Sequence, residues 1–182
     1  GGEYFLDWPG ATWDLFNETY KRAYLIIRQL DPQAMISAPG LGNLNSGFDR
    51  IDAFKDYCVA NSCIPDYWSW HFGAERIVAQ VAHTQAWKLN EGAIILEYTN
   101  PQATRHPGRT IWEIAYLEAS DAVFACRANW GIYYPRGTLS GLVFDAGDHW
   151  AKRGVWWAYE AYGASSGDRV RYTASSVNVN CI

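Results

Sequence analysis

The sequence predicts an α/β chain of parallel strands joined by helical crossovers, and three observations carry this. Segments with apolar residues at helical spacing alternate repeatedly with short apolar runs. Those runs are too apolar for antiparallel strands with one face in water, so each is expected to be covered on both faces. No low-complexity linker divides the 182 residues, which suits one packed domain.

The first helix is expected over 12–30, where Leu15, Tyr20, Ala23, Tyr24, Ile26, Ile27 and Leu30 recur near helical spacing and Pro32 closes the segment. A buried strand over 34–38 follows, ended by Pro39-Gly40 and a loop rich in Gly and Asn. The next elements are a helix over 48–60, a strand over 65–71, a helix over 74–89 and a strand over 93–98. A helix over 110–127 then precedes a strand over 130–134. After an extra strand at 142–144, a last helix runs over 151–162. Residues 1–163 are expected to form the α/β unit, and 164–182 a small polar tail.

Charge and composition narrow the partners. A net charge of -4 leaves no basic face for phosphate backbones, so nucleic acid is not an expected partner. No apolar run is long enough for a membrane span. The unusual feature is aromatic content, with 10 Trp, 12 Tyr and 7 Phe, side chains that suit sugar rings as well as cores. Cys58, Cys63, Cys126 and Cys181 lack CxxC spacing, and their even number permits two disulfides in any of three pairings; Cys58 with Cys63, with only four residues between them, and Cys126 with Cys181 are favoured, the alternative being four buried free thiols. With the glycosylation triplet at Asn17 they point to a secreted chain. The four histidines, 71, 83, 106 and 149, show no paired metal-ligand spacing, and neither metal nor cofactor is expected.

Pro39-Gly40-Leu41-Gly42 lacks the third glycine of a dinucleotide turn, which argues against an open doubly wound sheet. The other architecture is a closed barrel of eight strand and helix pairs, typically about 250 residues, of which four pairs are half. In such barrels chemistry sits at the carboxyl ends of strands. Here those ends are Trp68-Ser69-Trp70-His71-Phe72, Glu97-Tyr98-Thr99-Asn100 and Tyr133-Tyr134. A carboxylate directly after Ile94-Ile95-Leu96 is costly to bury unless it is paired or hydrogen-bonded, which singles out Glu97. His71 is a candidate ligand for substrate or for that acid. Trp68 and Trp70 alternate with Ser69 and His71, so a barrel-facing His71 puts both tryptophans under the helices. Asp145 and Asp148 are expected to favour the start of the last helix, and Trp156 and Trp157 to pack within it.

The stretch IILEYTNP (94–101) resembles the strand of clan A glycoside hydrolases that ends in the catalytic nucleophile. It is most similar to family thirty-nine, which includes xylosidases and iduronidases. LDPQAMISAPG (30–40) resembles that family's fifth strand and its approach, IPDYWSWHF (64–72) its sixth strand, and GLVFDAGDHWAKRGVWWAYEAYG (141–163) its closing loop and eighth helix. The resemblance implies the second half of a (β/α)8 barrel, strands five to eight, with Glu97 as the nucleophile of a retaining hydrolase. His71, Tyr98, Asn100, Tyr133 and Trp70 would bind substrate. The family's acid/base glutamate belongs to an Asn-Glu-Pro motif that does not occur in this sequence. Glu3 stands nearest its place, flanked by Gly2 and Tyr4.

Two function classes follow. One is a retaining glycosidase, or its nucleophile-bearing half, acting on a poly- or oligosaccharide; the other is a non-catalytic carbohydrate-binding or assembly module. Either one has carbohydrate as a partner. Four parallel strands that do not close leave two open edges, so a second protein chain, the other half or another copy, is also expected.

Overall fold

A computed structural model of the chain describes residues 10–42, 47–71, 74–98, 106–127 and 142–167. Helix α1, Trp13–Leu30, starts where the Thr12 hydroxyl accepts from the Leu15 N–H at 3.1 Å, and it carries Asp14 in its first turn and Arg28 in its last. The chain then alternates: β1 Ser37–Leu41, α2 Asp49–Ala60, β2 Tyr67–His71, α3 Ala74–Gln85, β3 Ala93–Tyr98, α4 Pro107–Ser120 and β4 Phe124–Arg127. A hairpin, β5 Val143–Asp145 and β6 Trp150–Lys152, leads into α5, Gly154–Ala164. The four strands are parallel and lie in sequence order, β1-β2-β3-β4. An unbroken order of this kind is the winding of a barrel wall, since a doubly wound sheet reverses direction at a switch point.

The core lies between this sheet and its helices. Trp68 and Trp70 are fully buried, with Trp68 edge-on to Phe54 of α2 and to Trp87 after α3. An indole of this size contributes about 4 to 6 kcal/mol of apolar burial. Phe16 and Tyr20 of α1 meet Phe54 at 5.7 and 5.0 Å between ring centroids. The amino ends of β1 and β2 are braced by Asp66. Its carboxylate accepts two bonds from the Arg28 guanidinium, at 2.6 and 2.7 Å, and one from the Ile36 N–H at 2.7 Å.

Four expected elements differ. β1 runs through Pro39-Gly40 where a loop was expected: β1 has no partner on its outer side among the described residues, so proline's missing N–H breaks no ladder there. Gly40, at φ +72°, takes up the register slip, and its N–H donates to Ser69 Oγ at 2.9 Å. The helix expected to reach 127 stops at Ser120, because Asp121 adopts a left-handed cap and the Ser120 hydroxyl accepts from the Ala122 N–H. Residues 124–127 are consequently a strand, while the strand expected over 130–134 lies outside the described residues. Helix α3 ends at Gln85, short of 89, with Lys88 at positive φ. The last helix begins at Gly154, because 150–152 pair with 143–145. Asp145 and Asp148 therefore sit in the hairpin, and no acid occupies the first turn of α5.

Candidate active site

His71 ends β2 and Glu97 lies one residue before the end of β3, and the two are register partners across adjacent parallel strands. The slip that makes them partners falls between Trp70 and His71; without it, strict alternation would not set the two side chains against each other. All three ladders of the sheet slip near the carboxyl ends of their strands. His71 Nε2 bonds Glu97 Oε2. The His71 side chain is 8% exposed and that of Glu97 is 30% exposed, so the imidazole is embedded and the carboxylate is open on one side. An embedded ring bonded to one carboxylate oxygen fixes the acid's orientation and leaves it open on its other side.

A cavity of about 320 Å³ opens between α1 and the sheet, lined by Phe16, Tyr20, Pro39, Gly40, Ser69 and Leu96; neither His71 nor Glu97 lines it.

Other expected site residues lie elsewhere. Trp70 is fully buried on the helix side and is unavailable to a ligand, as strand alternation requires once His71 faces the other way. Tyr98 also turns into the core, where its hydroxyl bonds that of Tyr159 at 2.6 Å. Burial pushes both phenols above their ordinary range, so this bond ties α5 to β3 as a neutral pair. Glu3, Asn100, Tyr133 and Tyr134 lie outside the described residues.

The disulfide expected between Cys58 and Cys63 is absent. Both are buried free thiols that hydrogen-bond to each other, and burial raises both, which keeps them protonated and unreactive. Cys126 is an exposed thiol on β4, and Cys181 lies outside the described residues. Asn17 sits within α1, half-buried with its Oδ1 shielded, where a glycan acceptor would stand on a surface loop. Among the described residues no three His, Cys, Asp or Glu side chains converge on a metal-sized site, and no helix is long and apolar enough to cross a membrane.

One exposed feature went unnoticed in the sequence. Trp150 on β6 is 68% exposed, and Trp157 of α5, expected to pack, is 55% exposed. Both lie in a Trp-rich stretch, 150–157, where the helix expected from 151 takes the place of the second strand of the hairpin, whose first strand falls at the extra strand expected over 142–144.

No protein-family model matches the sequence, and no curated protein matches it. Several solved structures match its fold, two of them as follows. N2152 from Neocallimastix frontalis matches with a TM-score of 0.69 at 24% identity, over 84% of this chain and 39% of that one. A glucosidase from Croceicoccus marinus matches with a TM-score of 0.52 at 18% identity, over 64% of this chain and 28% of that one. This chain thus spans well under half the length of either. At such identities the likeness establishes the fold: four parallel strands alternating with helices, as in part of a glucosidase structure.

Proposed function

We propose that this chain is the nucleophile-bearing half of a retaining glycoside hydrolase, strands five to eight of a (β/α)8 barrel. The observation that carries the proposal is the Glu97 carboxylate, held by an embedded His71 across two adjacent strand ends and open on its other side. The fold shared with part of a glucosidase supports it, as does the position of the pair at the strands' carboxyl ends.

In this mechanism a Glu97 oxygen forms a bond to the anomeric carbon while the bond from that carbon to the departing oxygen breaks. A second carboxyl group, about 5 to 5.5 Å away, gives the departing oxygen its proton. That group then takes a proton from water, which attacks the same carbon and releases Glu97. His71 touches Glu97 and acts through it as a positioning residue. In this reading the acid comes from the other half of the barrel or from Glu3.

The same reading calls for a second protein body. The outer edge of β1 has no strand partner among the described residues, and Leu25, Ile26 and Leu30 of α1 are exposed. At the opposite edge Val123 and Phe124 are exposed. A unit supplying parallel strands would cover both edges.

Hydrolysis of 2,4-dinitrophenyl β-xyloside and β-glucoside tests the chemistry, because dinitrophenolate leaves without a proton and bypasses the acid. Glu97→Gln is expected to lower the rate by on the order of 10⁴-fold, about 5.5 kcal/mol of barrel-bound transition-state stabilisation, with the fold intact by circular dichroism. An unchanged rate would remove Glu97 from the mechanism.

A further inference from the structure

The β5–β6 hairpin is a two-stranded ribbon, and ribbons of that size are marginal alone in water. This one is closely fastened. Gly147, at φ +101°, makes the turn and its N–H donates to Asp145 Oδ1 at 2.9 Å, while the Ala146 N–H donates to the His149 carbonyl at 2.9 Å. At the base, the Arg153 N–H donates to the Leu142 carbonyl at 2.9 Å. Lys152 Nζ donates to Glu160 Oε2 at 3.1 Å, and Trp156 Nε1 donates to the same oxygen at 2.9 Å. Those two bonds hold the Glu160 carboxyl below its ordinary range and pin the ribbon to α5.

What the fastening displays is an alternating face. Asp145 pairs with Trp150 and Val143 with Lys152, so these four side chains share one side of the ribbon. Lys152 Nζ then lies 4.6 Å from the centre of the Trp157 ring. A strip thus runs from Trp150 through Lys152 to Trp157, two largely exposed indoles separated by an ammonium group, with a carboxylate opposite the first. A surface meant for a protein core would concentrate apolar groups and exclude charge from its centre. Flat apolar faces interleaved with hydrogen-bonding groups instead match a pyranose ring, whose C–H face is apolar and whose edge carries hydroxyls.

In the barrel reading the strip lies on the same rim as Glu97. Helix α4 follows the carboxyl end of β3, which places its first turn at that rim. Gly154 at the start of α5 packs so tightly on Pro107 at the start of α4 that a Cβ there would come within 2.7 Å of the proline ring. The two helices therefore begin side by side, and the hairpin, immediately before Gly154, stands above them at that rim.

We propose that the Trp150–Lys152–Trp157 strip is a carbohydrate-binding platform for a neutral oligosaccharide, with the Trp150 indole stacked on a pyranose face and Lys152 and Asp145 engaging ring hydroxyls. This deepens the hydrolase reading, on which its place as an outlying subsite rests: the substrate it implies is a chain of several sugars. The stacking itself does not depend on Glu97.

Isothermal titration of xylohexaose and of cellohexaose into the Glu97→Gln protein tests it, since no turnover then confuses the heats. Binding of at least one of the two is expected. Adding Trp150→Ala should weaken it at least about tenfold, Trp157→Ala about two- to fivefold, and Trp150→Tyr should keep most of it. Circular dichroism checks that each variant is folded. Binding indifferent to Trp150→Ala, heats absent with both sugars, or a Trp150→Ala effect confined to oligomeric state by light scattering would each overturn the platform. The two proposals fail separately: binding that needs Trp150 in a protein whose turnover ignores Glu97 sinks the hydrolase and leaves the platform, whereas Glu97-dependent turnover with Trp150-independent binding sinks the platform alone.

Discussion

At the amino ends of β1 and β2 the ladders are in regular register and one carboxylate, Asp66, accepts from a guanidinium and a backbone N–H at once. At the carboxyl ends every ladder slips, and the carboxylate there, Glu97, is bonded by a single embedded histidine and left open on one side. The two ends place a carboxylate in opposite surroundings. A carboxylate enclosed by donors contributes stability and has no capacity left for a ligand. A carboxylate held on one side contributes little stability but presents a reactive oxygen.

The contrast breaks if mutations at the two ends behave alike. Asp66→Ala should have the largest effect on stability, about 3 kcal/mol in urea unfolding, because it strands the Arg28 guanidinium and the Ile36 N–H together. Both side chains are 24% exposed, which keeps the loss at the low end of the range for buried pairs. Its effect on turnover of an aryl glycoside should be within about twofold.

A pH series sharpens the same point. Burial by itself would raise Asp66, but the bonds from Ile36 and Arg28 outweigh it and hold the carboxyl below its ordinary value. A group whose folded value is depressed contributes stability that is fully present above its unfolded value near 4 and is lost as pH falls toward the folded one. Acid unfolding should therefore steepen below about pH 4 in the native chain, and Asp66→Asn should flatten that limb. An unchanged limb would mean the brace carries no linked stability.

The smallest effect on stability is expected at the other end. His71→Asn should cost about 1 kcal/mol in unfolding, since it removes one hydrogen bond and part of a ring. Turnover should nevertheless fall roughly ten- to a hundredfold, because the Glu97 oxygen loses its orientation. A merely structural His71 would lower stability and leave the rate of the folded fraction unchanged.

Much of this arrangement was legible from residue order. Ala93–Tyr98 and the extent of α1 follow from an apolar run and a helical period, which are local signals. Glu97 is singled out because a carboxylate after three aliphatic residues is physically conspicuous, and the structure sets it beside His71. The break at Asp121 was not legible, since neither glycine nor proline marks it and a left-handed aspartate is a property of the folded turn. The path of β1 through Pro39-Gly40 depends on its being an edge, and an edge exists only once the sheet is assembled. The substrate contact that the resemblance implies for Trp70 gives way to the other reading of strand alternation, in which a barrel-facing His71 puts both tryptophans under the helices, and Tyr98 too turns into the core. The first strand of the hairpin falls where an extra strand over 142–144 is expected, but its second strand was hidden because Ala151-Lys152 extends a convincing helical pattern, and only cross-strand pairing with Val143–Asp145 separates it.

The central claim is that Glu97 is aimed at an anomeric carbon. Incubating the native chain with 2,4-dinitrophenyl 2-deoxy-2-fluoro-β-xyloside or its glucosyl counterpart, then mapping peptides by mass spectrometry, tests it directly, because the fluorine slows breakdown of the glycosyl ester. The account predicts one added fluorosugar, located on the peptide bearing Glu97 and missing in Glu97→Gln. A fluorosugar on a different carboxylate, or none after prolonged incubation, would contradict it.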